Sequence, residues 1–159
     1  MREIKFRGKC IAAGELKDKW VYGDLIKNRD KYYIHPHSQL IEVSKHYGRL
    51  VVMHEVDPET VGQYTSLKDR NGKEIYEGDI IPTHNQNNVV EYDRGSFVVK
   101  GLHEDKYERT YAHLTRYLID VTIPDVEGSK YDGVTTSLEV IRNRWDNPEF
   151  LKGVQSDVR

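Results

Sequence analysis

The sequence predicts a mainly β protein: antiparallel hairpins forming barrel-like lobes, with a few short helical turns. Three observations carry this. Residues 3–8 alternate strictly, Ile4, Phe6 and Gly8 against Glu3, Lys5 and Arg7, the period-2 pattern of a strand with one buried face. Turn dipeptides recur at short spacing, Asn71-Gly72 and Arg94-Gly95 among them, between runs rich in β-branched and aromatic residues. Eleven tyrosines, two tryptophans and three phenylalanines supply large buried areas to a chain that is otherwise polar, with a mean hydropathy of -0.74.

Read in order, Ile4–Gly8 is the first strand and Lys19–Ile26 the second, joined by a polar connection that begins at Gly14. Asn28-Arg29-Asp30 is a turn and Lys31–Ile34 the third strand, so the opening reads as a meander. Residues 35–48 show no regular pattern. Leu50–Met53 reads as a short apolar strand. Asp57-Pro58 then reads as a capped helical turn, with Pro at the first helical position and Glu59 in the first turn. Val61–Leu67 has strand character. Asp69–Lys73 is the strongest local signal, because Asn71-Gly72 tolerates the positive φ values that a two-residue hairpin turn demands. Its flanking strands are Thr65–Lys68 and Lys73–Tyr76. Gly78 marks a bend before Asp79–Ile81. His84–Asn88 reads as a polar loop, and Val89–Asp93 with Ser96–Val99 as a hairpin around Arg94-Gly95. Residues 101–133 are ambiguous: Tyr107–Ile119 has apolar residues at mixed spacing that suit helix or strand, and Ile123 to Gly133 reads as an acidic loop. Leu138–Ile141 reads as a last strand. Asn147–Leu151 reads as a terminal capped turn.

The length of 159 residues fits one domain, divisible into two small β lobes at about 1–55 and 56–159. Cys10 is the single cysteine, which excludes an internal disulfide and any multi-cysteine zinc site. The reading is a soluble, cytoplasmic protein, for the N-terminus lacks the apolar stretch of a signal peptide and no apolar run spans a bilayer. The net charge of -2 hides an asymmetry: residues 1–50 carry eleven Lys and Arg against six Asp and Glu, and the remainder thirteen against twenty. Opposite-sign patches steer association, including self-association.

Candidate chemistry is sparse. His35-Pro36-His37 places two imidazoles with strand spacing, but Pro36 interrupts the strand and no third ligand is set by spacing, so no metal is expected. Asp69-Arg70-Asn71-Gly72 has its Gly and its later residues at the wrong positions for a calcium loop. His54-Glu55 runs into Asp57-Pro58 rather than a metalloprotease helix. No phosphate-binding glycine loop and no nucleophile elbow is present. Catalytic residues, metals and cofactors are therefore expected to be none. Basic and aromatic residues interleave, however. Lys31, Tyr32 and Tyr33, with Lys45, Tyr47 and Arg49, form the candidate nucleic-acid-binding set, since rings stack on bases and cations track phosphates.

Three segments carry a resemblance to a known family. The first joins Arg2–Gly8 to Trp20–Leu25. The second is the block Val56–Ile81, V-D-P-E-T-V-G-Q-Y-T-S-L-K-D-R-N-G-K-E-I-Y-E-G-D-I-I. The third runs from Leu138–Ile141 through Asp146–Leu151. Together they resemble the signature of the YopX family, small proteins encoded mainly by bacteriophages and prophages. One departure stands out: relatives usually carry Gly-Asn after the Val-Ile pair, where this chain has Arg142-Asn143, so a different local bend is expected. The resemblance implies a mainly β fold, a phage or prophage origin and self-association into a homo-oligomer, and it implies no catalytic residue. The expected function is a non-catalytic accessory protein acting through contacts with itself or with a host or phage protein, with no membrane partner. The alternative is a nucleic-acid-binding β module.

Overall fold

The structure, a computed structural model, describes residues 3–37, 40–44, 48–83, 86–102, 110–119 and 135–151, with the backbone alone for 40–44, 48–51 and 83. The chain is mainly β, with two antiparallel sheets and, among the described residues, no helix of seven residues or more. Neither sheet is a closed barrel. Contacts divide the chain into two units, Met1–Tyr64 and Thr65–Arg159, so the division falls later than the 55/56 boundary read from the sequence.

In the first unit the strands are β1 (Phe6–Lys9), β2 (Trp20–Asn28), β3 (Lys31–His35), β4 (Leu40–Ser44), β5 (Gly48–Val51), β6 (His54–Val56) and the start of β7 (Gly62–Lys68). The spatial order is β6-β3-β2-β1-β7, with β4 and β5 pairing as a separate hairpin. The opening meander is as expected, while β4 lies in the stretch that showed no pattern. The apolar run Leu50–Met53 is cut differently too: β5 ends at Val51 and β6 begins at His54. A bridge between Cys10 and Val56 brings β6 back beside the end of β1, so the sheet curls around Cys10, Val21, Ile34 and Val56, with Phe6, Leu25, Tyr32 and Val61 packed against them.

Polar residues fasten this curl. The 3-10 turn Pro58–Thr60 is capped as expected, with the Asp57 carboxylate accepting from Glu59 N at 3.0 Å. Thr60 Oγ1 donates to the Asp57 carbonyl at 2.7 Å and accepts from Lys9 N at 2.9 Å. Asp57 N donates to the Lys9 carbonyl at 2.9 Å. The turn is thereby tied to β1. Gly8 is required there, because a Cβ would stand 2.9 Å from Val56 Cβ.

In the second unit, the rest of β7 pairs with β8 (Glu74–Tyr76), and a five-stranded sheet has the order β12-β11-β10-β9-β13. Its strands are β9 (Asp79–Thr83), β10 (Gln86–Asp93), β11 (Ser96–Gly101), β12 (Tyr111–His113) and β13 (Arg142–Asn143). Ile75, Ile81, Val90, Val99, Leu114, Leu138 and Val140 form its core, with Leu67, Phe97 and Tyr117 at the margin. The β10–β11 hairpin turns on Arg94 (φ 49) and Gly95 (φ 87), the pair of positive φ values that a two-residue turn needs.

The β7–β8 turn differs from its expectation. Asp69 N donates to the Lys73 carbonyl at 2.7 Å, leaving a three-residue loop of Arg70, Asn71 and Gly72 in which only Gly72 has a positive φ, 82°. The Asp69 side chain sets this length. Asp69 is 1% exposed, and its Oδ1 accepts from both Asn71 N and Lys73 N at 2.9 Å. Its Oδ2 accepts from Val140 N at 3.1 Å. Leu138–Ile141 is therefore extended but is not a ladder strand, because the Val140 amide bonds a carboxylate instead. Gln86–Asn88 also departs from expectation: it belongs to β10 rather than a loop, and buried Asn88 donates Nδ2 to the Ile81 carbonyl at 3.0 Å. Of the ambiguous stretch, Tyr111–His113 is strand and Leu114–Tyr117 a 3-10 turn, whereas 103–109 and 120–134, the acidic loop included, lie outside the described residues. Pro148–Leu151 forms the expected terminal turn.

Asp69→Ala strips three N–H groups of their acceptor, the buried Val140 amide among them, and is expected to destabilise the protein by about 3 kcal/mol. Asp69→Asn, which keeps one acceptor oxygen, is expected to cost less. Urea unfolding of the two variants checks the order, and an Asp69→Ala midpoint equal to wild type would refute it.

Candidate functional site

Register decides what the sequence-predicted basic–aromatic set can do. Lys27, Tyr32 and Val56 stand across from one another on adjacent strands, and so do Ile26, Tyr33 and Glu55. Tyr32 therefore lies on the core side, half-buried, while Tyr33 and Lys31 lie on the outer side. Lys27 Nζ sits 5.1 Å from the Tyr32 ring centroid, and a hydrogen bond with Tyr32, reinforced by its charge, holds the Lys27 ammonium above its ordinary pKa. Lys31 Nζ is ion-paired with Glu55 Oε1 at 2.9 Å, and the hydrogen bond to Glu55 raises its pKa. The three residues thus form no single stacking face. Arg49 is in β5 opposite Glu42. Lys45 and Tyr47 lie outside the described residues.

A different cation–ring ladder lies on β1. Lys5, Arg7 and Lys9 share one face, flanked by Trp20 and Tyr22 on β2 and by Tyr64 on β7. Lys5 Nζ lies 5.0 Å from the Tyr64 ring centroid, and Arg7 Cζ and Lys9 Nζ lie 4.9 and 5.8 Å from that of Trp20. Arg7 and Tyr64 are buried and Tyr22 is exposed. The signal was present as cations at every second residue opposite Trp-Val-Tyr. What hid it was the assumption that charged residues in a strand face water.

The two histidines of His35-Pro36-His37 have separate duties. His35 Nδ1 donates to the Val52 carbonyl at 2.8 Å, since a carbonyl can only accept, and His37 Nε2 meets Asp24 Oδ1 at 2.8 Å. Among the described residues no group of three or more His, Cys, Asp or Glu is placed to hold a metal ion.

The second unit contains a cleft of about 490 Å³, lined by Arg70, Pro82, Thr110, Tyr117, Ser137, Leu138 and Glu139. The Asp69 turn presents Arg70, and the segment bonded to that turn presents Leu138 and Glu139: Arg70 N donates to the Leu138 carbonyl at 2.8 Å. The Arg70 guanidinium and the Glu139 carboxylate form an ion pair at the rim. Ser137 N donates to the Tyr117 carbonyl at 2.8 Å, which fixes the opposite wall. No sequence signal links these positions, because only the topology brings residues 70, 117 and 139 together.

On the surface of the five-stranded sheet, Ser96 Oγ and His113 Nδ1 are 2.8 Å apart, and the Tyr111 hydroxyl donates to Asp93 Oδ2 at 2.9 Å. That bond is the main reason the Tyr111 phenol ionises above its ordinary value of 10.0. The raised value favours the folded state below pH 10, and this contribution is lost as pH rises through the folded pKa.

Several residues within the segments that carry the family resemblance serve as scaffold. Asp79 Oδ2 accepts from Tyr76 N at 2.8 Å, and Gly78 (φ +79) lies under Trp145, whose ring a Cβ would penetrate. Asn143 Oδ1 accepts from Trp145 N at 3.1 Å and Asp146 N at 2.9 Å, which sets that ring. Arg142 pairs with Ile80 in β13 and is not among the residues with positive φ.

Two outcomes follow. Tyr32→Ala is expected to lower stability by about 2 kcal/mol through lost packing, while Lys31→Ala and Tyr33→Ala leave the melting temperature near wild type. Equal effects at all three would contradict the division of faces. Asp93→Ala is expected to bring the Tyr111 ionisation, followed by NMR, down toward 10.0, and an unchanged titration would remove the assigned cause.

No curated protein matches the chain. The YopX protein family profile matches residues 5–152, nearly the whole chain: the chain belongs to the YopX family.

Proposed function

We propose that this protein is a non-catalytic accessory protein of phage or prophage origin, working in the bacterial cytoplasm through contacts with other proteins, its own copies included. The observation that carries this reading is where its large side chains are spent. Ile4, Ile11, Leu16, Tyr22 and Met53 in the first unit, and Tyr92 and Tyr111 in the second, are exposed. Tyr and Met are the residue types that protein interfaces enrich. The buried carboxylates Asp69 and Asp79 are used instead as acceptors for backbone amides, which supports a structural task for them. The alternative, nucleic-acid binding, is favoured by one observation, the cation–ring ladder of Lys5, Arg7, Lys9 and Trp20.

A photo-crosslinking residue placed in turn at Tyr22, Tyr92 and Tyr111, with buried Tyr76 as control, tests both readings in the cell. Protease-sensitive adducts at the exposed positions alone are expected. Adducts removed by nuclease would replace the first reading with the second, and the absence of any adduct would overturn both.

A further inference from the structure

We propose that the cleft of the second unit is a binding site for a free α-amino acid with an apolar or aromatic side chain. The inference starts from a residue pair that the scaffold does not explain. The turn and the segment that carry Arg70 and Glu139 are already joined by three bonds: Arg70 N to the Leu138 carbonyl, Val140 N to Asp69, and Lys73 Nζ to the Val140 carbonyl. The Arg70–Glu139 ion pair adds little to that junction, because its side chains are 57% and 39% exposed and solvent screens such a pair. The pair does place a guanidinium and a carboxylate side by side at the mouth of a cleft of about 490 Å³, a size within the range of small-molecule sites.

A zwitterion fits that arrangement. Its carboxylate matches the donor fork of Arg70, and its ammonium is a donor for Glu139. Inserting it exchanges one screened contact for two and leaves neither protein charge uncompensated. An anion alone would leave Glu139 unpaired and repelled, and a cation alone would do the same to Arg70. Beside the pair, Pro82 and Tyr117 bring apolar surface to the lining, while Ser137 and Thr110 carry hydroxyls. The walls therefore select an apolar or aromatic side chain on the ligand. This site does not depend on the protein-contact reading.

The test is an amide-resolved NMR titration of the full chain with phenylalanine, N-acetylphenylalanine, phenylalaninamide and glycine. Phenylalanine is expected to give saturable shifts centred on Arg70, Ser137 and Glu139. Each derivative that lacks one charge is expected to bind at least about tenfold more weakly, the scale of one lost charge-assisted bond, and glycine more weakly still. Arg70→Ala and the isosteric Glu139→Gln should each reduce binding by a similar factor while the melting temperature stays close to wild type, since the backbone bonds of the junction remain. No saturable shift at millimolar phenylalanine, equal binding of the N-acetyl or amide derivative, or undiminished binding by Glu139→Gln would overturn the assignment. Glycine binding as tightly as phenylalanine would overturn the role of the apolar walls.

Discussion

The Asp69 carboxylate is the interaction on which the second unit depends. It is nearly inaccessible, and its two oxygens collect N–H groups from Asn71, Lys73 and Val140. A carboxylate can do this because it offers several acceptor sites and because bonds to a charged acceptor are stronger than neutral ones. The same bonds offset the cost of taking a charge out of water. Its effect reaches beyond the turn. With Val140 tied to Asp69 and Leu138 to Arg70, both apolar side chains are delivered to the core, and Ser137 and Glu139 fall to the cleft. One acidic side chain thus determines the loop length of a hairpin, the path of a distant segment and the rim of the cleft.

The first unit uses the same device on a smaller scale. Its strands β1 and β6 are short, and an isolated pair of short strands is marginal in water. Asp57 and Thr60 add side-chain bonds that join the 3-10 turn to β1, and Gly8 lets Val56 approach the sheet closely. A family signature made of such residues reports architecture. Within Val56–Ile81, Asp57, Thr60, Asp69 and Asp79 each bond a backbone group, and Gly72 and Gly78 each supply a positive φ.

How far the fold was legible follows from the range of the forces involved. Arg94-Gly95 and Asp57-Pro58 were read correctly because their geometry is decided within a few residues, by positive φ in one case and by a cap in the other. Asn71-Gly72 carries an equally local signal, yet the loop is longer by one residue because the Asp69 side chain competes with the ladder for the Lys73 amide. Leu138–Ile141 has strand composition, but its partner is a carboxylate far away in the chain, which no periodicity encodes. Asn88 looked like loop because it is polar. It is buried in β10 because its amide meets the Ile81 carbonyl. Register divides the basic–aromatic candidates of β3: Lys31 and Tyr33 lie on one side and Tyr32 on the other. Alternation separates Tyr32 from Tyr33 on any strand, whereas composition groups them.

The cleft was not legible at all, and the comparison among ion pairs shows why it is informative. Lys31–Glu55 and Lys100–Glu91 each link neighbouring strands, where opposite charges support pairing directly. Arg70–Glu139 links a turn to an irregular segment whose backbone bonds already hold them together. Register therefore explains the first two pairs and leaves the third without a structural task. Rigid backbone on both sides of an exposed pair is also what a binding site requires, since the charges are then positioned before a ligand arrives and little ordering remains to oppose binding. The buried Asp69 cage and the exposed Arg70–Glu139 pair are in this sense one arrangement: the first removes the freedom of the backbone, and the second is left free to exchange partners.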